Sequence, residues 1–149
     1  MILNVKKTHP DAVLPHYATS GAACLDLHAA TVTGPLLPGN AVVVGTGMAF
    51  EIPHGYVMLV FSRSGHGFNH DIRLANCVGV IDSDYRGEVM LKLRNDRSAE
   101  DERPAIAIRP GDRVAQAMII PAPNVDQIRV VDELSSTERG AGGFGSTGA

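Results

Sequence analysis

The chain contains no tryptophan and few aromatic residues of any kind, 5% in all. Intrinsic fluorescence therefore rests on Tyr17, Tyr56 and Tyr85. There are only two cysteines, Cys24 and Cys77, far apart and not in CxxC spacing. Two free, buried thiols are the expectation, with a lone disulfide left open. No apolar run approaches the ~20 residues that span a bilayer as a helix. The opening MILNVKKTHP lacks the charged-then-apolar order of a secretory signal. The expectation is a soluble, cytoplasmic chain. Basic charge is not in excess either: 13 Lys and Arg stand against 16 Asp and Glu, net −3. This argues against binding to duplex nucleic acid. It leaves open a small anionic ligand, for which a few placed arginines suffice.

Also missing is any sustained 3.6-residue apolar period with caps at both ends. Instead the 149 residues, 44% hydrophobic and 19% charged, read as short Val/Ile/Leu-rich strands. Strands are expected at 2–5, 24–28, 41–44, 48–52, 56–61, 78–81, 88–93, 105–108, 113–119 and 128–131. Pro38-Gly39-Asn40, Pro53-His54-Gly55 and Pro110-Gly111-Asp112 mark turns between them. One helical turn is expected near 62–67. Regular short strands with Pro/Gly turns predict an all-β barrel or sandwich of the jelly-roll kind. The apolar excess of 88–93 suggests burial on both faces, one of them against another subunit. The length suits one domain, 1–138, followed by a mobile, glycine-rich segment, 139–149.

That segment, RGAGGFGSTGA, formally contains GxGxxG. The dinucleotide fingerprint needs a strand before it and a helix after it, and only one residue follows. A P-loop reading fails as well, because Ser146 stands where lysine must be. The underlying physics survives. Glycines let backbone N–H groups converge on an anion, Ser146 and Thr147 add hydroxyls, and Arg139 adds a bidentate phosphate contact. Phe144 needs a flat partner, for which a nucleobase is suited. A solvated, unstructured tail is the plain alternative.

Four further stretches carry chemistry. Asn76 to Val89 reads as a hairpin whose turn holds Asp82, Asp84, Tyr85 and Arg86. Asp-Ser-Asp is good turn material, but a carboxylate after apolar Val80-Ile81 is also placed to orient or deprotonate a water from the end of a buried strand. Ser62-Arg63-Ser64-Gly65 joins a cation, hydroxyls and a backbone N–H, a phosphate-binding set that is otherwise an ordinary polar turn. It is not a G-x-S-x-G elbow, since Ser62 occupies the first glycine position. Gln116 interrupts the apolar run Val114 to Ile119, so its amide must find a hydrogen-bond partner. Asp26 lies inside Ala22-Ala23-Cys24-Leu25-Asp26-Leu27-His28 and needs either an arginine or a hydrated metal. His66 and His70, four apart with glycine between, do not form an HExxH pair and are not read as metal ligands.

Taken in order, these stretches resemble the five motifs of the trimeric dUTPases. The matching residues are Ala23-Cys24-Leu25-Asp26-Leu27, Ser62-Arg63-Ser64-Gly65, the run from Gly79 to Gly87, Pro110-Gly111-Asp112-Arg113-Val114-Ala115-Gln116, and the run from Arg139 to Ser146. The resemblance extends from about residue 18 to the C-terminus. It implies a jelly-roll subunit, a homotrimer with sites shared between subunits, and Mg²⁺-dependent hydrolysis of dUTP to dUMP and pyrophosphate. It implies that Asp82 activates water and that Gln116 helps hold that water or a phosphate. Asn76, Val80 and the neighbouring backbone would read uracil, with Tyr85 against the deoxyribose. Arg63, Ser64 and Gly65 would hold phosphates, and Asp26 would face the metal through water. Arg139, Phe144, Gly145, Ser146 and Thr147 would close from another subunit. Cys24 and Phe61 depart from the family pattern, which commonly has glycine and proline there. A dCTP deaminase of the same superfamily and a nucleotide sensor without turnover are the competing readings. Asp82, Arg63, Arg139 and the complete tail favour the hydrolase.

Overall fold

The computed structural model describes residues 1–146. Ten strands and one short helix succeed one another: β1 (Asn4–Lys7), β2 (His16–Tyr17), β3 (Leu25–His28), β4 (Thr31–Val32), β5 (Ala41–Glu51), β6 (Tyr56–Phe61), α1 (Ser64–His70), β7 (Ile72–Leu74), β8 (Val78–Ile81), β9 (Glu88–Asn95) and β10 (Arg113–Pro121). Every strand pairing is antiparallel. One sheet runs β1-β5-β9-β7, with β4 also on β5; the other runs β2-β3-β10-β6-β8. The two sheets close over a shared core that includes Leu27, Leu36, Val44, Phe50, Met58 and Leu93. The architecture is the expected jelly-roll-like β fold. No helix among the described residues is long and apolar enough to cross a membrane.

Period-2 patterning sets which face is buried. In β9, Val89, Leu91, Leu93 and Asn95 point inward, while Met90, Lys92 and Arg94 point out. The outer face is therefore not apolar throughout: Met90 alone interrupts its charged row. Asn95 is buried and donates to the Leu36 carbonyl at 3.3 Å, so this inward amide is satisfied.

Where two strands were expected at 41–44 and 48–52, one long strand forms, bent by a bulge. Glycine makes the bend possible. Gly47 has φ +66, and a Cβ there would meet the Cβ atoms of Ala12 and His9, each at 2.8 Å. Its N–H donates to Glu88 Oε1 at 2.8 Å, and the Thr46 hydroxyl donates to the Val89 carbonyl at 2.7 Å. These bonds occupy groups that the bulge removes from the ladder.

Other expectations are corrected. Residues 105–108 make one isolated bridge, Leu36 to Ile106, and no strand. Residues 128–131 form no strand either; Ile128 and Val130 are exposed. Apolar residues alone do not make a strand, and this segment pairs with no other strand among the described residues. The strand expected at 2–5 is displaced to Asn4–Lys7, and the short β2, β4 and β7 lay below the length at which alternation is legible. The helical turn at 62–67 is the seven-residue α1. Asn76 to Val89 is not a hairpin: β8 pairs with β6, and β9 with β5 and β7. The chain crosses from one sheet to the other here. Nor is β8 a buried strand, since it edges its sheet with Val78 and Val80 exposed.

Gly47→Ala should lower unfolding free energy by about 2 kcal/mol or more, combining positive-φ strain with a clash against backbone-anchored Cβ atoms. A denaturant midpoint equal to wild type would show that the bulge tolerates a side chain.

Candidate active site

The register of β10 gathers three distant stretches. Gln116 stands opposite Asp26 of β3 on one side and opposite Phe61 of β6 on the other. The residues that follow Phe61 turn directly into α1, so Arg63, Ser64 and Gly65 lie at the end of this same row. A cavity of about 300 Å³ opens there, lined by Cys24, Asp26, Arg63, Ser64, Gly65 and Gln116.

Asp26 is buried within β3 and takes an arginine as partner. Arg113 Nη1 donates to its Oδ2 at 3.1 Å, and Arg63 Nε faces Oδ1 at 4.0 Å. Arg63 Nη1 also donates to the Arg113 carbonyl at 2.8 Å. Gln116 Nε2 donates to the Ser62 carbonyl at 3.0 Å, and the Ser62 hydroxyl accepts from Leu74 N at 2.9 Å. The amide that interrupts β10 thus pins the Ser62–Arg63 turn. Two cations against one carboxylate leave the pocket with positive charge, as an anion-binding site requires. Arg113 belongs to this cluster, though the sequence pointed only to Gln116 within its stretch. Its signal was a charge at the start of a strand whose partner strand carries an inward aspartate. Beside the cluster, His28 stacks on His16 with ring centroids 5.3 Å apart. Burial, then the neighbouring His16, pushes His28 below the ordinary histidine range.

The second group lies elsewhere. Ile81 is opposite Met58 of β6, so Asp82 follows at the far end of β6 from Arg63. Six residues of extended chain between the positions of Val57 and Arg63 amount to roughly 20 Å. Asp82 and Arg63 therefore do not meet within one chain. The 82–87 turn is internally bonded: Tyr85 N donates to the Asp82 carbonyl at 3.2 Å, and Arg86 Nη1 to the Ser83 carbonyl at 2.7 Å. The Tyr85 hydroxyl donates to the Glu88 carbonyl at 3.0 Å, which fixes a half-exposed ring over Gly87. A Cβ on Gly87 would overlap the hydroxyl end of that ring, so a side chain there would displace Tyr85 from this position.

Because β8 bonds only to β6 among the described residues, its other edge is open to them. Along this edge, between β8 and β9, runs a cavity of about 470 Å³ that includes Asn76, Gly79, Val80, Ile81 and Met90. Asn76 Nδ2 donates to the Val78 carbonyl at 3.2 Å.

The third group is the C-terminal segment. Arg139 Nε donates to the Gly142 carbonyl at 2.8 Å, and Ser146 N to the Gly143 carbonyl at 3.1 Å. Gly140 and Gly145 have positive φ, as does Phe144, whose ring is fully exposed. Thr147 lies outside the described residues. The described part of this segment reaches neither of the other two groups. Among the described residues, no three His, Cys, Asp or Glu side chains converge as a metal cage.

A two-sheet jelly-roll fold, a cationic pocket at one end of its second sheet and an open strand edge beside a cavity define the class of protein. A family model for dUTPase matches residues 11–148. The chain belongs to the dUTPase family. It is 45% identical to a deoxyuridine 5′-triphosphate nucleotidohydrolase of Nautilia profundicola, covering 99% of both chains. Its fold matches that of the Staphylococcus bacteriophage 80alpha dUTPase solved with dUPNHPP, with a TM-score of 0.85, 28% identity and 99% of each chain covered. It also matches a variant dUTPase from phage phi11 of S. aureus, described as revealing how a structural Mg(II) ion is coordinated. That match has a TM-score of 0.77 and 26% identity, over 89% of this chain and 98% of the other.

The thiols differ in environment. The expectation that both thiols are buried is corrected: Cys24 is half-buried, and burial, then the charge of Asp26, pushes its pKa up, whereas Cys77 is exposed. A raised pKa means less thiolate at a given pH. Iodoacetamide at pH 8 should modify Cys77 well before Cys24, as read by peptide mass spectrometry. Faster labelling of Cys24 would contradict this ordering.

Proposed function

We propose that the protein hydrolyses dUTP to dUMP and pyrophosphate at sites assembled from three copies of the chain. The observation that carries this reading is the open backbone edge of β8 beside a base-sized cavity. Free strand-edge N–H and C=O groups in fixed order recognise the donor and acceptor pattern of uracil. Cytosine presents a different pattern and would leave buried polar groups unpaired. Asn76 and Val80 border this edge. Tyr85, held by its bond to Glu88, offers a flat face to the deoxyribose and leaves no space for a 2′-hydroxyl.

Arg63, Ser64 and Gly65 bind the triphosphate, with Arg113 supplying further positive charge. Asp82 accepts a proton from water as the water oxygen attacks the α-phosphorus. The bond from that phosphorus to the α–β bridging oxygen breaks, and pyrophosphate leaves. Gln116, already bonded to the Ser62 carbonyl, helps position the water or the phosphate.

The donor set fits a hydrated Mg²⁺ rather than a caged one. A single carboxylate, Asp26, borders the phosphate pocket, and Mg²⁺ prefers phosphate and water oxygens to an all-protein cage. Asp26 would hold it through water, and the ion would neutralise charge on the triphosphate.

The roughly 20 Å between Arg63 and Asp82 along β6 supports a shared site: one chain supplies the phosphate pocket and a second the base edge with Asp82. In a ring of three, each chain gives one half to each neighbour. Residues 139–149 act as a separate lid from the third chain. Arg139, Ser146 and Thr147 add phosphate contacts, Gly145 lets the segment turn, and Phe144 covers the base. The lid excludes water once substrate is bound.

Asp82→Asn should bind dUTP with little change while kcat falls by about 10²–10⁴-fold. Turnover near wild type would remove Asp82 from proton transfer. Pyrophosphate release from dUTP, beside dCTP, dTTP and UTP, tests the substrate. Release from dCTP as readily would refute reading by the β8 edge. Co-assembly of Arg63→Ala with Asp82→Asn, each inactive alone, should restore activity at about one site in four. No recovery from mixed trimers would place both residues within one chain's site.

A further inference from the structure

The first turn of α1 brings His66 onto Arg63. The Arg63 carbonyl accepts from His66 N at 3.1 Å and from Gly67 N at 3.0 Å, so residue 66 lies one turn above residue 63. Across that turn His66 Nε2 approaches Arg63 Nη1 at 3.4 Å. Arg63 Nη1 is a donor and cannot accept. The contact is a hydrogen bond only when His66 is neutral with its proton on Nδ1. His66 Nδ1 is buried and has no partner among the described residues. The ring and Arg63 both line a cavity of about 360 Å³.

Arg63 is thus held at three points: Nη1 to the Arg113 carbonyl, Nη1 to His66, and Nε towards Asp26. Nη2 makes no hydrogen bond among the described residues and remains free for an anion. We infer that His66 is a positioning residue, whose neutral imidazole accepts from Arg63 and aims the remaining guanidinium donors into the phosphate pocket. The inference rests on Arg63 binding the triphosphate, as proposed above. Neither the glycine beside His66 nor its spacing from His70 called for this role, and no metal is involved.

The charges around the ring favour the neutral form. Burial contributes most, followed by Arg63 and His70, which push the His66 pKa down; Asp112 alone pushes it up. Arg113 also borders the cavity. The other residues facing it, Ile72, Ile106, Ala107 and Ile108, are not titratable. The sign follows directly. At neutral pH the imidazole is uncharged and accepts. As pH falls below the ordinary histidine range and through the lowered pKa, Nε2 gains a proton, two donors face each other, and like charges repel. Arg63 loses its aim on the acid side, and phosphate binding weakens there.

The test compares wild type with His66→Gln, which keeps an accepting oxygen without titrating, and His66→Leu, which keeps bulk without an acceptor. KM and kcat for dUTP are measured from pH 5.5 to 7.5, and inorganic triphosphate binding is titrated calorimetrically over the same range. Titration of the phosphates themselves is common to all three proteins and cancels. His66→Leu should raise KM at pH 7.5 by about fivefold, the size of one hydrogen bond to a charged donor's rim, with kcat within about twofold. His66→Gln should stay near wild type at pH 7.5 and lose the additional acid-side rise in KM that wild type shows. Triphosphate affinity should follow the same pattern. If His66→Leu matches wild type in KM, triphosphate affinity and pH slope, the positioning role is overturned. If dUTP is not hydrolysed but triphosphate binding still depends on His66, the dUTP reading fails and the positioning role stands. If triphosphate does not bind to wild type at all, both fail.

Discussion

Everything in the cationic pocket depends on one register. Gln116 is the only position of β10 that stands opposite both Asp26 and the last residue of β6. A slip of one residue would turn the inward side chains of β10 outward and separate the carboxylate from the arginines. Burial enforces the register, because Val114, Ala115 and Ala117 are fully enclosed. Between Arg113 and Ala115 the pairing with β3 shifts, which breaks strict alternation where the Arg113 side chain reaches Asp26. The apolar core thus pays for an ionic cluster that it would not otherwise tolerate.

The cluster also shows why charge was needed in so small an amount. A buried carboxylate is costly unless paired, and Arg113 pairs Asp26 while its backbone carbonyl accepts from Arg63. His66 closes the other side of Arg63 only in its uncharged form. Each group in the pocket is therefore constrained by another, which keeps Arg63 from collapsing onto Asp26. Its Nε remains 4.0 Å from that carboxylate.

At the other end of β6 the governing fact is an unmet edge. β8 is four residues long, is bonded on one side only among the described residues, and has Val80 exposed. Edges of this kind are usually shortened, charged or covered. Here a cavity runs along the edge, and the turn that follows is locked by its own hydrogen bonds. Preformed geometry of this sort lowers the ordering cost of binding any ligand that pairs with the edge.

Much of this was legible in the chain. Short β-branched runs between Pro and Gly turns announced a β sandwich, because alternation and turn chemistry are local properties. Asp26, Arg63, Gln116 and Asp82 stood out as polar residues in or beside apolar runs. What remained hidden was pairing. The sequence around Asp82 reads as a hairpin because a turn does not say which edges its flanking strands will use. Residues 128–131 read as a strand, but their apolar side chains find no neighbour in the described chain. Nothing local announced Gly47 as a bulge, because its need for glycine comes from Ala12 and His9. His66 looked like half of a discarded metal pair until the first turn of α1 set it over Arg63. The sequence by itself determined the β class, the turns and the chemical groups available. Only the tertiary structure decided which groups meet, because strand register, sheet edges and the spacing along β6 arise from packing between segments distant in the chain.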